Sequence, residues 1–241
     1  MFYSRRQVDP SSDWPNVTIG NMSQIWSQFM IALHDHFEGK THIIWDWNGT
    51  LLGDLDLAIR VVNRLLLEEN LPEITLEGYK KAFGFPVIDY YVKLGFDTSP
   101  AKFHDLCERF NEYFHAGLDG CDLWPSARAT LAFVRSSGRT QSLLSASQHQ
   151  LLVESVKRFG VDSYFDHVVG IADKKAGSKV ERGHELMARA GHPPANTLLI
   201  GDTDHDLEVG DALGIDVILV DHGHQCETRL KAKHHRVLKV L

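Results

Sequence analysis

From His42 onward the chain alternates short, near-continuous apolar runs with segments of helical periodicity, and this alternation restricts its fold more than any other feature. The runs His42–Trp47, Gln141–Leu144, His167–Val169, Thr197–Ile200 and Asp216–Val220 are strand-sized. Strands so uniformly apolar need cover on both faces, which predicts a Rossmann-like α/β core, a parallel sheet with helices packed on each side. In such a sheet the binding crevice opens beyond the carboxyl ends of the strands.

Residues 48–140 separate the first run from the second, far more than a crossover requires. They hold several helical patterns and no convincing strand, so an inserted helical subdomain is expected. Ser99 and Pro100 supply an N-cap followed by proline at the first helical position, and Phe103, Leu106, Cys107, Phe110, Tyr113 and Phe114 then recur on one face. A shorter helix is expected from near Pro86 to near Gly95, preceded by a Phe83-Gly84-Phe85 loop. Gly84 is a candidate substrate-facing position, because glycine lets backbone approach a ligand closely. The first forty residues differ: a turn-rich stretch precedes one amphipathic helix over Met22–His36, expected to dock on the main domain. The expected division is an extension at 1–40, a core formed by 41–55 and 124–241, and a helical insertion at 56–123.

Among 241 residues, Lys plus Arg is 25 and Asp plus Glu is 32, a net charge of −7 that argues against broad attraction to nucleic acid or acidic membranes. No run approaches the roughly 20 apolar residues needed to cross a bilayer. The polar, charged N-terminus lacks the apolar stretch of a secretory signal, so a cytoplasmic location is expected. Cys107, Cys121 and Cys226 have no CxxC spacing and read as reduced thiols.

Four strand ends carry polar residues that belong together. The first run leads into Asp46-Trp47-Asn48-Gly49-Thr50, the second into Ser145, Lys179 opens a helix after the third, and the fourth runs into Gly201-Asp202-Thr203-Asp204-His205-Asp206. A parallel sheet brings such ends to one crevice. In this order and spacing the chain resembles the haloacid dehalogenase superfamily of hydrolases over about Thr41–Val220, most closely its phosphoglycolate-phosphatase-like enzymes. The insertion falls where that family carries a helical C1-type cap.

The resemblance implies a phosphatase-type hydrolase acting on a small phosphorylated metabolite through an aspartyl-phosphate. Asp46 is the candidate nucleophile. Asp46, the backbone carbonyl of Asn48, Asp202 and, directly or through water, Asp206 are the candidate oxygen ligands for Mg²⁺. Ser145 and Thr50 are candidate phosphate contacts, with Lys179 offsetting negative charge. Asn48 departs from the family pattern: an aspartate is usual there to protonate the leaving oxygen and then activate water, and an amide does neither. The departure predicts slow turnover. It also leaves open phosphonate cleavage, with Lys80, Lys81 or Lys93 as a candidate Schiff base, or a non-enzymatic sensor of a phosphorylated ligand. Halide removal is disfavoured because Asp202 and Asp206 are both present. Asp54 reads as a helix cap, and the tail donors Asp221, His222, His224 and Cys226 read as surface composition. Oligomeric state is not legible.

Overall fold

The computed structural model describes residues 36–171 and 178–239. The helix expected over Met22–His36 therefore lies, apart from its last residue, outside the described residues.

Strands β1 (His42–Trp45), β4 (Thr140–Gln148), β5 (His167–Ile171), β6 (Thr197–Gly201), β7 (Asp216–Val220) and β8 (Val237–Leu238) form one parallel sheet in the order β5-β4-β1-β6-β7-β8. The five expected strands are all present, and β8 adds an edge. Side chains alternate across each strand, so the two faces build separate cores. Ile43 and Trp45 face one side with Leu131 and Val134 of helix α5 (Ala127–Ser136) and Leu152 and Val156 of α6 (His149–Arg158). Ile44 faces the other, packed with Leu186 of α7 (Lys179–Ala190), Val209 of α8 (Asp204–Leu213) and Leu230 of α9 (Glu227–Lys233).

Between β1 and β4 the chain makes helices α1 (Leu55–Glu68), α2 (Leu76–Ala82), α3 (Val87–Leu94) and α4 (Pro100–Gly117). Helix α1 buries Leu57, Ala58, Val61, Val62, Leu65 and Leu66, an i, i+3, i+4 stripe of good helix formers and β-branched residues. Truncating a fully buried leucine such as Leu65 to alanine costs about 2–5 kcal/mol. Helix α3 stops at Gly95, whose φ of +90° a glycine adopts without a Cβ clash. The aromatics of α4 pack against this core only in part, and Leu106 alone among the helix's residues is fully buried.

One element was not expected. Strands β2 (Leu52–Gly53) and β3 (Asp122–Leu123) pair antiparallel and close the insertion at its base. Two residues per strand are too few to show a period of two, so sequence pattern could not reveal them.

Candidate active site

The segment after β1 turns tightly, with the amides of Leu51 and Leu52 bonding to Trp47 O and that of Gly49 to Leu52 O. Gly49 has a φ of +74°, and a Cβ there would overlap the Asp202 carboxylate. Only glycine meets both demands. The turn is held on all sides: Asp46 N donates to Ile200 O, Trp124 Nε1 to Gly49 O at 3.1 Å, and Thr50 Oγ1 to Asp202 Oδ1 at 3.0 Å. His222 Nε2 lies 3.1 Å from Thr50 O.

Asp46, Asp202 and Asp206 each offer a carboxylate oxygen within 4.8 Å of the others. Lys179, the first residue of α7, donates to Asp46 Oδ1 at 2.7 Å and to Asp206 Oδ1 at 2.6 Å. The capping box of Ser178 and Glu181 fixes where that helix begins and so where the lysine points. Asp206 is oriented by the start of α8, where its Oδ2 accepts from Thr203 N and Thr203 Oγ1 at 3.0 and 2.8 Å. Three buried carboxylates against one ammonium leave an excess of negative charge. Burial drives the Asp46 carboxyl well above its usual range despite Lys179, and burial raises Asp202 as well. Burial also acts to raise Asp206, but its bonds to Lys179 and Thr203 outweigh that and hold it low. All the donors are hard oxygens, so the cluster suits a small divalent cation such as Mg²⁺.

The structure thus brings Asp46, Lys179, Asp202 and Asp206 together. Thr50 is beside them, its hydroxyl turned to Asp202. Ser145 lies buried at the irregular end of β4, where the pairing register shifts between Leu144 and Gln148, and its Oγ accepts from Ser147 N at 3.1 Å. Gly84 lies against Arg229, whose guanidinium would meet a Cβ there at 2.8 Å. Of the lysines considered for a Schiff base, Lys80 donates to Asp221 O, Lys81 pairs with Glu77, and Lys93 is exposed.

Two expectations are corrected. Asp54 stands at the N-cap of α1 but makes no side-chain cap bond; it accepts instead from Asn48 Nδ2 at 2.8 Å and Gly49 N at 2.7 Å. The amide of Asn48 is held at its other end by Ser147 Oγ, which donates to Asn48 Oδ1 at 2.7 Å. His224 is buried, and neither it nor His222 is a surface feature. Its backbone N donates to Asp202 Oδ2 at 2.6 Å, its Nε2 lies 3.4 Å from Asp54 Oδ1, and its Nδ1 is 3.1 Å from the Tyr79 hydroxyl of α2. Burial works to discharge the imidazole, but Asp54, Asp202 and Asp46 prevail and raise it to about 9. The signal for these histidines was available: they follow β7, a parallel strand whose carboxyl end opens on the same crevice.

The sequence profile of the haloacid dehalogenase-like hydrolase family matches residues 43–220. The chain belongs to this family. It is 27% identical over 191 residues to a phosphoglycolate phosphatase of Haemophilus influenzae, covering 75% of this chain and 85% of that one. A phosphoglycolate phosphatase of Synechococcus elongatus is 25% identical over 181 residues, covering 75% and 84%. The fold is shared with a haloacid dehalogenase-like hydrolase from Streptococcus pneumoniae, at a TM-score of 0.72 and 19% identity over 84% of this chain and 94% of that one. The chain and this neighbour thus share one fold over most of their lengths. Among the described residues of this member, no helix is long and apolar enough to cross a membrane.

Proposed function

We propose that the chain is a Mg²⁺-dependent phosphatase of small phosphorylated metabolites that works through an aspartyl-phosphate on Asp46. The observation that carries this is the placement of Asp46 Oδ1 2.7 Å from Lys179 Nζ, inside a buried cluster of three carboxylates at the strand ends. The relatives named phosphoglycolate phosphatase support a small phosphomonoester as substrate.

Asp46 and Asp202, with the Asn48 carbonyl, would hold the cation, and Asp206 would support them. Bound there, Mg²⁺ supplies positive charge that lets an anionic phosphoryl group approach a carboxylate nucleophile. An Asp46 oxygen then attacks phosphorus while the bond from phosphorus to the ester oxygen breaks, and the departing oxygen takes a proton from water. Lys179 neutralises charge on the nucleophile and on the transferred group throughout. A water next attacks phosphorus, breaking its bond to Asp46 and releasing inorganic phosphate, with the proton passing to solvent. Asn48 contributes to neither proton transfer, because its amide nitrogen donates to Asp54 and its oxygen accepts from Ser147. Turnover is therefore slowed, by about the 10²–10⁴-fold that a positioned acid or base provides.

Within this proposal residues 56–123 form the cap that selects the substrate, and 41–55 with 124–241 form the core. The free thiols of Cys107, Cys121 and Cys226 fit a cytoplasmic location. The test is a screen of phosphorylated metabolites with and without Mg²⁺, using Asp46→Asn as control. Metal-dependent release of phosphate that Asp46→Asn abolishes supports the reading. Release that survives in Asp46→Asn, or no release from any substrate, refutes it; phospho-ligand binding without release would point to a sensor instead.

A further inference from the structure

His224 touches both halves of the molecule. On the core side its backbone amide holds Asp202 and its Nε2 faces Asp54, the residue that fixes the Asn48 side chain and the Gly49 amide. On the insertion side its ring meets the Tyr79 hydroxyl at 3.1 Å and the Phe83 ring at a centroid distance of 5.3 Å. Tyr79 and Phe83 are themselves stacked, with centroids 5.1 Å apart, and Tyr90 of α3 packs edge-on to both. The imidazole is thus a wedge between an aromatic cluster of the insertion and the turn that carries Asp46.

We propose that His224 is a positioning residue through which the helical insertion, by way of Tyr79 and Phe83, sets the geometry of the Asp46–Thr50 turn and of Asp202. The inference rests on the phosphatase reading for its effect on turnover. The structure joins insertion and core covalently only through the short β2–β3 ribbon, so the angle between them is set largely by side-chain contacts. Of those contacts, Gln225 on the Phe83 carbonyl and Arg229 on the Lys81 and Phe83 carbonyls hold the insertion in place. Neither reaches Asp54. The His224 ring does, and the run Tyr79–His224–Asp54–Gly49 is unbroken from α2 to the turn after β1. When the insertion is seated, Asp54 has a partner on each side and the turn is fixed. When Tyr79 and Phe83 withdraw, His224 loses its backing and Asp54 its fixed partner, so the Asn48 and Gly49 bonds loosen together.

The test uses the full chain and Tyr79→Phe, which keeps the ring and its stacking and removes only the hydroxyl. Deuterium exchange over residues 46–54 should speed up by about threefold or more in Tyr79→Phe, although the substitution lies in another element. On a substrate from the screen, kcat should fall about tenfold with KM little changed, the loss expected for one hydrogen bond to a buried polar group. His224→Gln, whose amide can still bridge Tyr79 and Asp54, should retain more activity than His224→Ala. Should His224→Ala fail to fold, Tyr79→Phe and His224→Gln decide the matter. Unchanged exchange at 46–54 in Tyr79→Phe overturns the coupling, as does a change confined to KM. A parent protein inert to every phosphomonoester refutes the phosphatase reading instead, and the exchange measurement still decides whether the insertion sets the turn.

Discussion

Replacing Lys179 with methionine keeps an unbranched side chain only one atom shorter and removes its charge. Lys179 is 4% exposed and its ammonium lies 2.7 and 2.6 Å from Asp46 and Asp206, so its loss leaves buried carboxylates without their counter-charge. Breaking a buried pair in this way costs about 3–5 kcal/mol, several times the value of a surface ion pair. For a chain of this length each kcal/mol moves the midpoint of thermal unfolding by about 2–4 °C, which gives a fall of roughly 6–20 °C for Lys179→Met without metal. The variant's cluster is also more negative, so Mg²⁺ should raise the midpoint more in Lys179→Met than in the parent. Ligand at about 100 times its dissociation constant adds about 2.7 kcal/mol, enough to recover a large part of the loss. Under the proposed mechanism hydrolysis should not recover with it, since Lys179 would no longer offset charge on the transferred group. Circular dichroism melts with and without Mg²⁺ measure both terms. A metal-free midpoint within about 2 °C of the parent, or equal increments from Mg²⁺ in both proteins, would show that Lys179 does not balance this cluster.

Further outcomes follow from the same geometry. Asp202→Ala should weaken Mg²⁺ binding by about tenfold or more in calorimetry; an unchanged affinity would remove Asp202 from the ligand set. Asn48→Asp alone sets a carboxylate against Asp54 where an amide donated at 2.8 Å, so it should destabilise the fold, whereas the exchange Asn48→Asp with Asp54→Asn restores a donor. The double variant should be the more stable and should hydrolyse alkyl phosphates up to ~10²-fold faster than the parent; a double variant no better than Asn48→Asp in both respects would refute this. At the far end of the sheet, burial lowers His42 from 6.5 to about 4, with His192 stacked on it at 4.7 Å. The folded value is the lower one, so this contribution is complete above about pH 6.5 and is lost as pH falls towards 4, by about 3 kcal/mol. Urea unfolding across that window should show the slope, and His42→Leu should flatten it.

Asp46, Lys179, Asp202 and Asp206 were legible in the sequence because each sits at a strand end or at the first turn of the helix that follows, where the parallel sheet fixes its destination. The same rule applied to β7 points to His222 and His224, but polar donors in a stretch without a metal-ligand spacing read as surface composition, and that reading hid them. Asp54 was hidden for another reason. Its position before an apolar helix matches an N-cap, and nothing in the sequence shows that its carboxylate turns back to the chain six residues earlier. The ribbon of β2 and β3 escaped because its strands are too short to carry a pattern. Gly84 reads in the sequence as a substrate-facing glycine; in the structure the group lying against it is the guanidinium of Arg229 of α9, a residue far away in sequence.

Asn48 is best understood together with Asp54. An aspartate at position 48 would only accept hydrogen bonds while ionised, and Asp54 beside it also accepts; the two would repel in a site already crowded with carboxylates. An amide at 48 donates to Asp54 and accepts from Ser147, so one side chain joins the turn after β1 to the start of the insertion and to the end of β4. Asp54 in turn gives His224 a counter-charge, and His224 carries the connection on to Tyr79. An amide at position 48 is therefore what lets a carboxylate occupy position 54 without repulsion. Through it Asn48 ties the start of the insertion and the end of β4 to the turn that follows Asp46.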